Sequence, residues 1–413
     1  MKKKSLLLLL IVVLCSLTIF SSDVVLKVWG RLANFEEIVD MFNVKMEKEG
    51  KSLRAEFVQV PYDQLVSKFM AALGAKKAPD VYALDLVHFP YFISIGAFED
   101  ITEWATTRDY FDELPEGLLK LGTRDEKVFA LPYEIDLSTM IWNKDMFKEA
   151  GLDPENPPET WDELIDASQK LTKDFDGDGV IDQYGIALVG NDAGSYMFWF
   201  MPWVWSNGGS MFDDNGNVVF NSPESKETLQ LWYDLIHKYK VAPVSSAQWS
   251  FADRYNAFIS GKIAMFLGGN FSVSPIMNDA PNMDFGVTFM PRGSGDFSTF
   301  GGGELIGIPS QTKHKEEALE FLEFAMSDAM IEAYAPDLML LPRPSLYNNE
   351  YYNAIPQMEA FAEILTKAKT PYTFKYNQIY DPVLYYLQGA LLDKIGVDEA
   401  IEKCDEKIRE IMK

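Results

Sequence analysis

Two stretches of the chain carry side chains whose type and spacing could do chemistry. The first is DFDGDGVID, where Asp174, Asp176, Asp178 and Asp182 take relative positions one, three, five and nine and Gly179 takes six. Carboxylates at that spacing wrap oxygen ligands around calcium, and the carbonyl of Val180 at position seven would add another. Acidic groups this dense repel one another without a counter-ion, so a structural calcium is expected. The twelfth position is Gly185, so the usual bidentate glutamate must come from elsewhere; a solvated acidic turn is the alternative. The second stretch places Tyr196, Phe198, Trp199, Trp203 and Trp205 just before Asn207. Aromatic faces stack on the C–H faces of sugar rings, and Asp, Asn and Arg bind the hydroxyl rim in bidentate fashion. Phe198, Trp205 and Phe212 also fit a helix stripe, so core packing competes with ligand binding for these rings.

Catalytic signatures are few. His88, His237 and His314 lie far apart and outside any HExxH, which excludes a helical zinc pair, and no GxSxG elbow is present. Gly301 to Gly303 followed by Glu304 lacks the GK[ST] ending of a phosphate loop, and reads as close backbone packing at a hinge. Paired glycosidase carboxylates are defined by separation in space, so 62 acidic residues leave a secreted glycan-cleaving enzyme open as the rival class.

The elements that must position these groups alternate. Leu26 to Trp29, Phe57 to Val60 and Asp80 to Leu84 read as strands. Between them, Phe35, Ile38, Val39, Phe42 and Met46 mark one helical face, and Leu65, Phe69, Met70 and Leu73 another that Gly74 stops. That order predicts a parallel sheet flanked by helices, with ligand sites after Trp29 and Leu84 at the carboxyl ends of strands. A second α/β block begins near Tyr133, and Thr160 with Glu163 predicts a capped helix start. Chain that returns to the first block near Leu305 predicts crossovers between two lobes.

At 413 residues, 47% hydrophobic and 14% aromatic, the chain suits two folded domains and not disorder. Residues 1–22, with Lys2, Lys3 and Lys4 before the apolar run Ser5 to Phe20, read as a secretory signal peptide, an uncleaved anchor being the alternative. Its removal leaves a net charge of (37 − 3) − 62 = −28, which opposes nucleic acid and anionic lipid. It also leaves Cys404 as the single thiol, on the apolar stripe of the last helix and so a core residue.

FALPYEIDLSTMIWNKDMFKEAGLDPENPPETWDEL (129–163), AFISGKIAMFLGGN (257–270) and DFGVTFMPRG (284–293) resemble the family 1 extracellular solute-binding proteins of ABC importers, which include maltose-binding protein. The resemblance implies an α/β fold of two lobes, each a β-sheet flanked by helices, that close on a sugar by hinge bending. The lobes would be 23–132 with 291–325, and 133–290 with 326–413. It implies a binding protein, not an enzyme, monomeric, periplasmic or extracellular, that delivers its sugar to permease subunits. By resemblance, Trp29, Phe198, Trp199, Phe271 and Tyr380 would stack on sugar rings, while Asp85, Glu134 and Asp136 would hold hydroxyls. Arg31 leaves an acidic sugar open, since a guanidinium binds carboxylates in a fork. A cationic ligand such as a polyamine is the alternative within binding proteins, because acidic groups and aromatics also make cation sites. Leu84, Val87 and His88 depart from the residues of maltose-binding protein, so maltose itself is not expected.

Overall fold

The computed structural model describes residues 24–413 apart from 62–63, 191–193, 214 and 372; the expected leader lies outside them. Among the described residues no helix is long and apolar enough to cross a membrane. Val24–Gly30, Leu53–Gln59 and Val81–Asp85 pair in parallel, as the strand–helix–strand order predicts. The helices between them, Phe35–Lys48 and Leu65–Gly74, bury the predicted faces, with Phe35, Phe42, Met46 and Phe69 fully inside.

Beyond these three strands the sheet differs from expectation and becomes mixed. Thr299–Gly307 runs antiparallel to Val81–Asp85 and to Ala130–Asn143. The reason lies in two long strands that cross between lobes. Ala130–Leu137 pairs with Gly301–Gly307, whereas Ser138–Trp142 pairs with Met265–Gly269 and Met140–Asn143 with Phe285–Thr288. One strand therefore changes partners between Leu137 and Ser138 within a single continuous mixed sheet. At the far edge Tyr184–Ala187 runs parallel to Ile263–Gly269, under the helices Trp161–Leu171 and Phe251–Ile259. The capping box at Thr160 and Glu163 is formed in both directions.

The glycine triplet sits on the second crossing strand. Gly303 has φ +109, and a Cβ there would fall 2.1 Å from the Glu134 carbonyl oxygen. Only glycine lets the two crossing strands approach so closely at that point. Cys404 is fully buried between the last helices, and burial pushes its thiol pKa up, consistent with an inert core role.

Candidate binding cleft

A cavity of about 570 Å³ opens where the two crossing strands pass between the lobes. The parallel strands contribute Arg31, just past the end of Val24–Gly30, and Asp85, the last residue of Val81–Asp85, both at carboxyl ends as that sheet geometry requires. The crossing strands contribute Asp136, Ser138, Phe300, Gly302 and Gly303. Phe198 and Trp199 come from the turn Tyr196–Phe200, Phe271 from the turn Asn270–Ser272 and Tyr380 from the helix Tyr376–Leu391. Seven of the residues singled out by sequence thus line one cavity: Arg31, Asp85, Asp136, Phe198, Trp199, Phe271 and Tyr380.

Trp29 and Glu134 are placed differently. Trp29 packs edge-on against Tyr82, ring centres 5.8 Å apart, with the Lys68 ammonium 4.8 Å over its face. It is outside the lining. Glu134 is 2% exposed and lies beneath the cavity floor. Burial pushes its pKa well up, and the charge of the neighbouring Asp136 carboxylate adds to the shift. Burial raises the Asp136 carboxyl as well, with Arg31 opposing that rise.

The floor is built around one guanidinium. Arg31 Nε donates to Glu304 Oε1 at 2.7 Å, and the Tyr133 hydroxyl donates to Glu304 Oε2 at 3.1 Å. Burial opposes the charge of Arg31, but Glu304, Glu134, Asp85 and Asp136 together outweigh it and hold its pKa up. Glu304 has no exposed side-chain surface, and burial raises its pKa although Arg31 pulls it down. Arg31 Nε is thus engaged by one buried carboxyl, Glu304. Asn270 ties the crossing strand in place: its Oδ1 accepts from Leu137 N at 2.8 Å and its Nδ2 donates to the Ile135 carbonyl at 3.3 Å.

The aromatic wall rests on a break in helical geometry. Tyr196–Phe200 is a π-helix turn that passes at once into the helix Met201–Ser206, with Pro202 in its first turn. Such turns insert a residue and re-aim neighbouring side chains. Here two consecutive rings, Phe198 and Trp199, both reach the cavity. Phe198 meets Phe300 at 4.8 Å and Tyr380 at 6.2 Å between ring centres, linking the crossing strand Thr299–Gly307 to the helix Tyr376–Leu391. Trp199 donates its indole N–H to the Gly268 carbonyl at 2.7 Å. Phe271 is 40% exposed, and its ring passes so close to Gly269 that a Cβ there would lie 2.4 Å away. Trp205, Tyr196 and Trp203 are core residues instead.

In the acidic loop, Asp174, Asp176 and Asp182 bring carboxylate oxygens within 4.8 Å of one another. Asp178 stays outside this group and accepts from Val180 N at 2.7 Å. Gly177 N and Gly179 N donate to Asp174 at 2.8 and 2.9 Å. The donor set is all oxygen, which fits a hard cation.

The family model for bacterial extracellular solute-binding proteins matches residues 30–332. An arabinooligosaccharide-binding protein of Halalkalibacterium halodurans is 26% identical over 297 residues, 70% of this chain and 64% of that protein. The cyclic α-maltosyl-1,6-maltose binding protein of Arthrobacter globiformis superposes with a TM-score of 0.80 at 25% identity, covering 94% of this chain and 99% of that one. An ABC transporter solute-binding protein of Thermotoga lettingae, bound with α-D-tagatose, gives 0.76 at 25%, covering 94% and 100%.

Proposed function

We propose that this chain, which belongs to the family of bacterial extracellular solute-binding proteins, captures a neutral sugar or short oligosaccharide for an ABC importer. One observation carries this reading: a single cavity joins four aromatic rings of the second lobe to the Asp85, Asp136 and Arg31 groups of the first lobe and crossing strands. A sugar offers both complements, apolar C–H faces for the rings and hydroxyls for the carboxylates. The relatives named for arabinooligosaccharides, a cyclic maltosyl-maltose and tagatose support the class. The protein would be exported by a cleaved leader to the periplasm or cell exterior, act as a monomer, bind without breaking bonds, and hand its sugar to permease subunits.

We also carry forward the two lobes expected from sequence, 23–132 with 291–325 and 133–290 with 326–413, hinged where Ala130–Asn143 changes partners. A ligand that touches both lobes favours the closed arrangement by its differential affinity. Thermal melting with arabinotriose, maltotriose and D-tagatose, against spermidine and glucuronate, tests the class. The cognate sugar at a hundred times its dissociation constant should add about 2.7 kcal/mol. Small-angle scattering with that sugar should show a smaller radius of gyration. Stabilisation by spermidine alone would instead establish the cationic ligand.

Calcium at Asp174, Asp176 and Asp182, with the Val180 carbonyl available nearby, is proposed as a purely structural clamp on the acidic loop. Removing calcium with a chelator should lower the melting temperature of the wild type but not of Asp176→Ala/Asp182→Ala. An unchanged wild-type melt on chelation defeats the assignment. Sugar affinity should be the same in both proteins.

A further inference from the structure

Arg254 lies outside the cavity and is fully buried on the helix Phe251–Ile259. Its Nε donates to the Leu267 carbonyl at 3.0 Å, one residue before the Gly268 carbonyl that takes the Trp199 indole N–H at 2.7 Å. The two planar groups, each tethered to the same strand, meet with the guanidinium over the indole ring. The guanidinium carbon stands 4.2 Å from the Trp199 ring centre and 5.1 Å from that of Phe251. Phe251 in turn packs against Phe271, ring centres 5.4 Å apart. Since Trp199 lines the cavity and Arg254 does not, the cation backs the face of the indole that the cavity does not reach.

We infer that Arg254 is a positioning residue for the binding platform, holding Trp199 directly and Phe271 through Phe251, and that its fixed charge biases that platform toward neutral ligands. The second half rests on the sugar reading above; the first half does not. A buried cation against an aromatic face is a strong contact, because neither partner can turn to water instead. It also places a positive charge one ring-thickness from whatever stacks on the cavity face. A second cation there is repelled across the ring, whereas a neutral pyranose or furanose is not.

Two measurements test this. In protein labelled with 5-fluorotryptophan, the Trp199 resonance, identified by its loss in Trp199→Phe, should be a single sharp line. It should move or broaden in Arg254→Met while the other tryptophan lines stay put. Phe251→Leu, a milder change in case the first variant folds poorly, should move it less. No ligand is needed for this arm. Where arabinotriose, maltotriose or D-tagatose binds the wild type, Arg254→Met should raise its dissociation constant about 10-fold, the scale of one desolvated cation–π contact. In a Trp199→Phe background the same substitution should change affinity less than about 2-fold, because the effect is transmitted through that ring. Glucosamine should gain relative to glucose in Arg254→Met. An unmoved Trp199 line alongside a lowered melting temperature overturns the positioning role and makes Arg254 a core residue. A moved line with an unchanged glucosamine-to-glucose ratio overturns the charge bias alone. If all the sugars fail to bind the wild type, the sugar reading falls, and the fluorine spectrum still decides the positioning role.

Discussion

Arg31→Met should destabilise the protein by about 3–5 kcal/mol at pH 7, because it strands the Glu304 carboxylate in the interior. Glu304 has no exposed side-chain surface and, among the described residues, keeps only the Tyr133 hydroxyl as a donor once the 2.7 Å ion pair is gone. The pH dependence carries the diagnosis. Burial already raises the Glu304 pKa, with Arg31 opposing that rise, so the variant's pKa must climb further. A carboxyl whose folded pKa exceeds its unfolded value leaves the folded state binding more protons, and stability then falls as pH rises between the two. The deficit of Arg31→Met relative to wild type should therefore be largest at and above neutrality. It should shrink as pH drops toward the ordinary glutamate value. Adding Glu304→Gln should recover most of the loss at pH 7 while leaving sugar affinity poor, since the floor still lacks its guanidinium. Unfolding curves across pH read this directly; equal instability of the single and double variants would place the role of Arg31 elsewhere.

Arg31 was legible in the sequence as a lone cation after the first strand, but its partner was not. Glu304 lies 273 positions away, and only the antiparallel return of the second crossing strand brings it into range. The same holds for Phe300, an ordinary buried aromatic until its strand is placed against the cavity. Local rules did well where the determinant is local. The capping box at Thr160, the buried faces of the first two helices and the parallel order of the first three strands all follow from spacing within a few turns. They fail where a distant segment decides. Glu134 and Asp136 share strand parity, so alternation alone puts both on one face. A distant segment also joins the strand between them, where Ile135 N donates to the Leu340 carbonyl at 3.0 Å. Trp29, carried over as a stacking ring by resemblance, packs its ring against Tyr82 and under Lys68.

Trp199→Ala should damage binding and folding together. As a ligand platform, a buried aromatic anchor is worth about 1–3 kcal/mol of affinity, or up to roughly 150-fold in dissociation constant. As a packed side chain, a tryptophan lost to alanine costs about 3–5 kcal/mol of stability. From sequence these are rival outcomes, since a ring is either core or platform. The fold makes them one, because Trp199 is only 5% exposed and still lines the cavity. It presents a narrow part of its face to the cleft while Arg254 and the Gly268 carbonyl fix the rest. Trp199→Phe separates the contributions. The smaller ring fills most of the volume and so should restore most of the melting temperature, but it lacks the indole N–H that anchors the ring to the strand. Affinity for the sugar identified by thermal melting should stay several-fold weaker in Trp199→Phe, measured by calorimetry on folded protein. Full recovery of affinity with phenylalanine would mean that ring volume alone, and not the anchored plane, makes the platform. A normal affinity in folded Trp199→Ala would remove Trp199 from the site and leave Phe198, Phe271 and Tyr380 to carry the stacking.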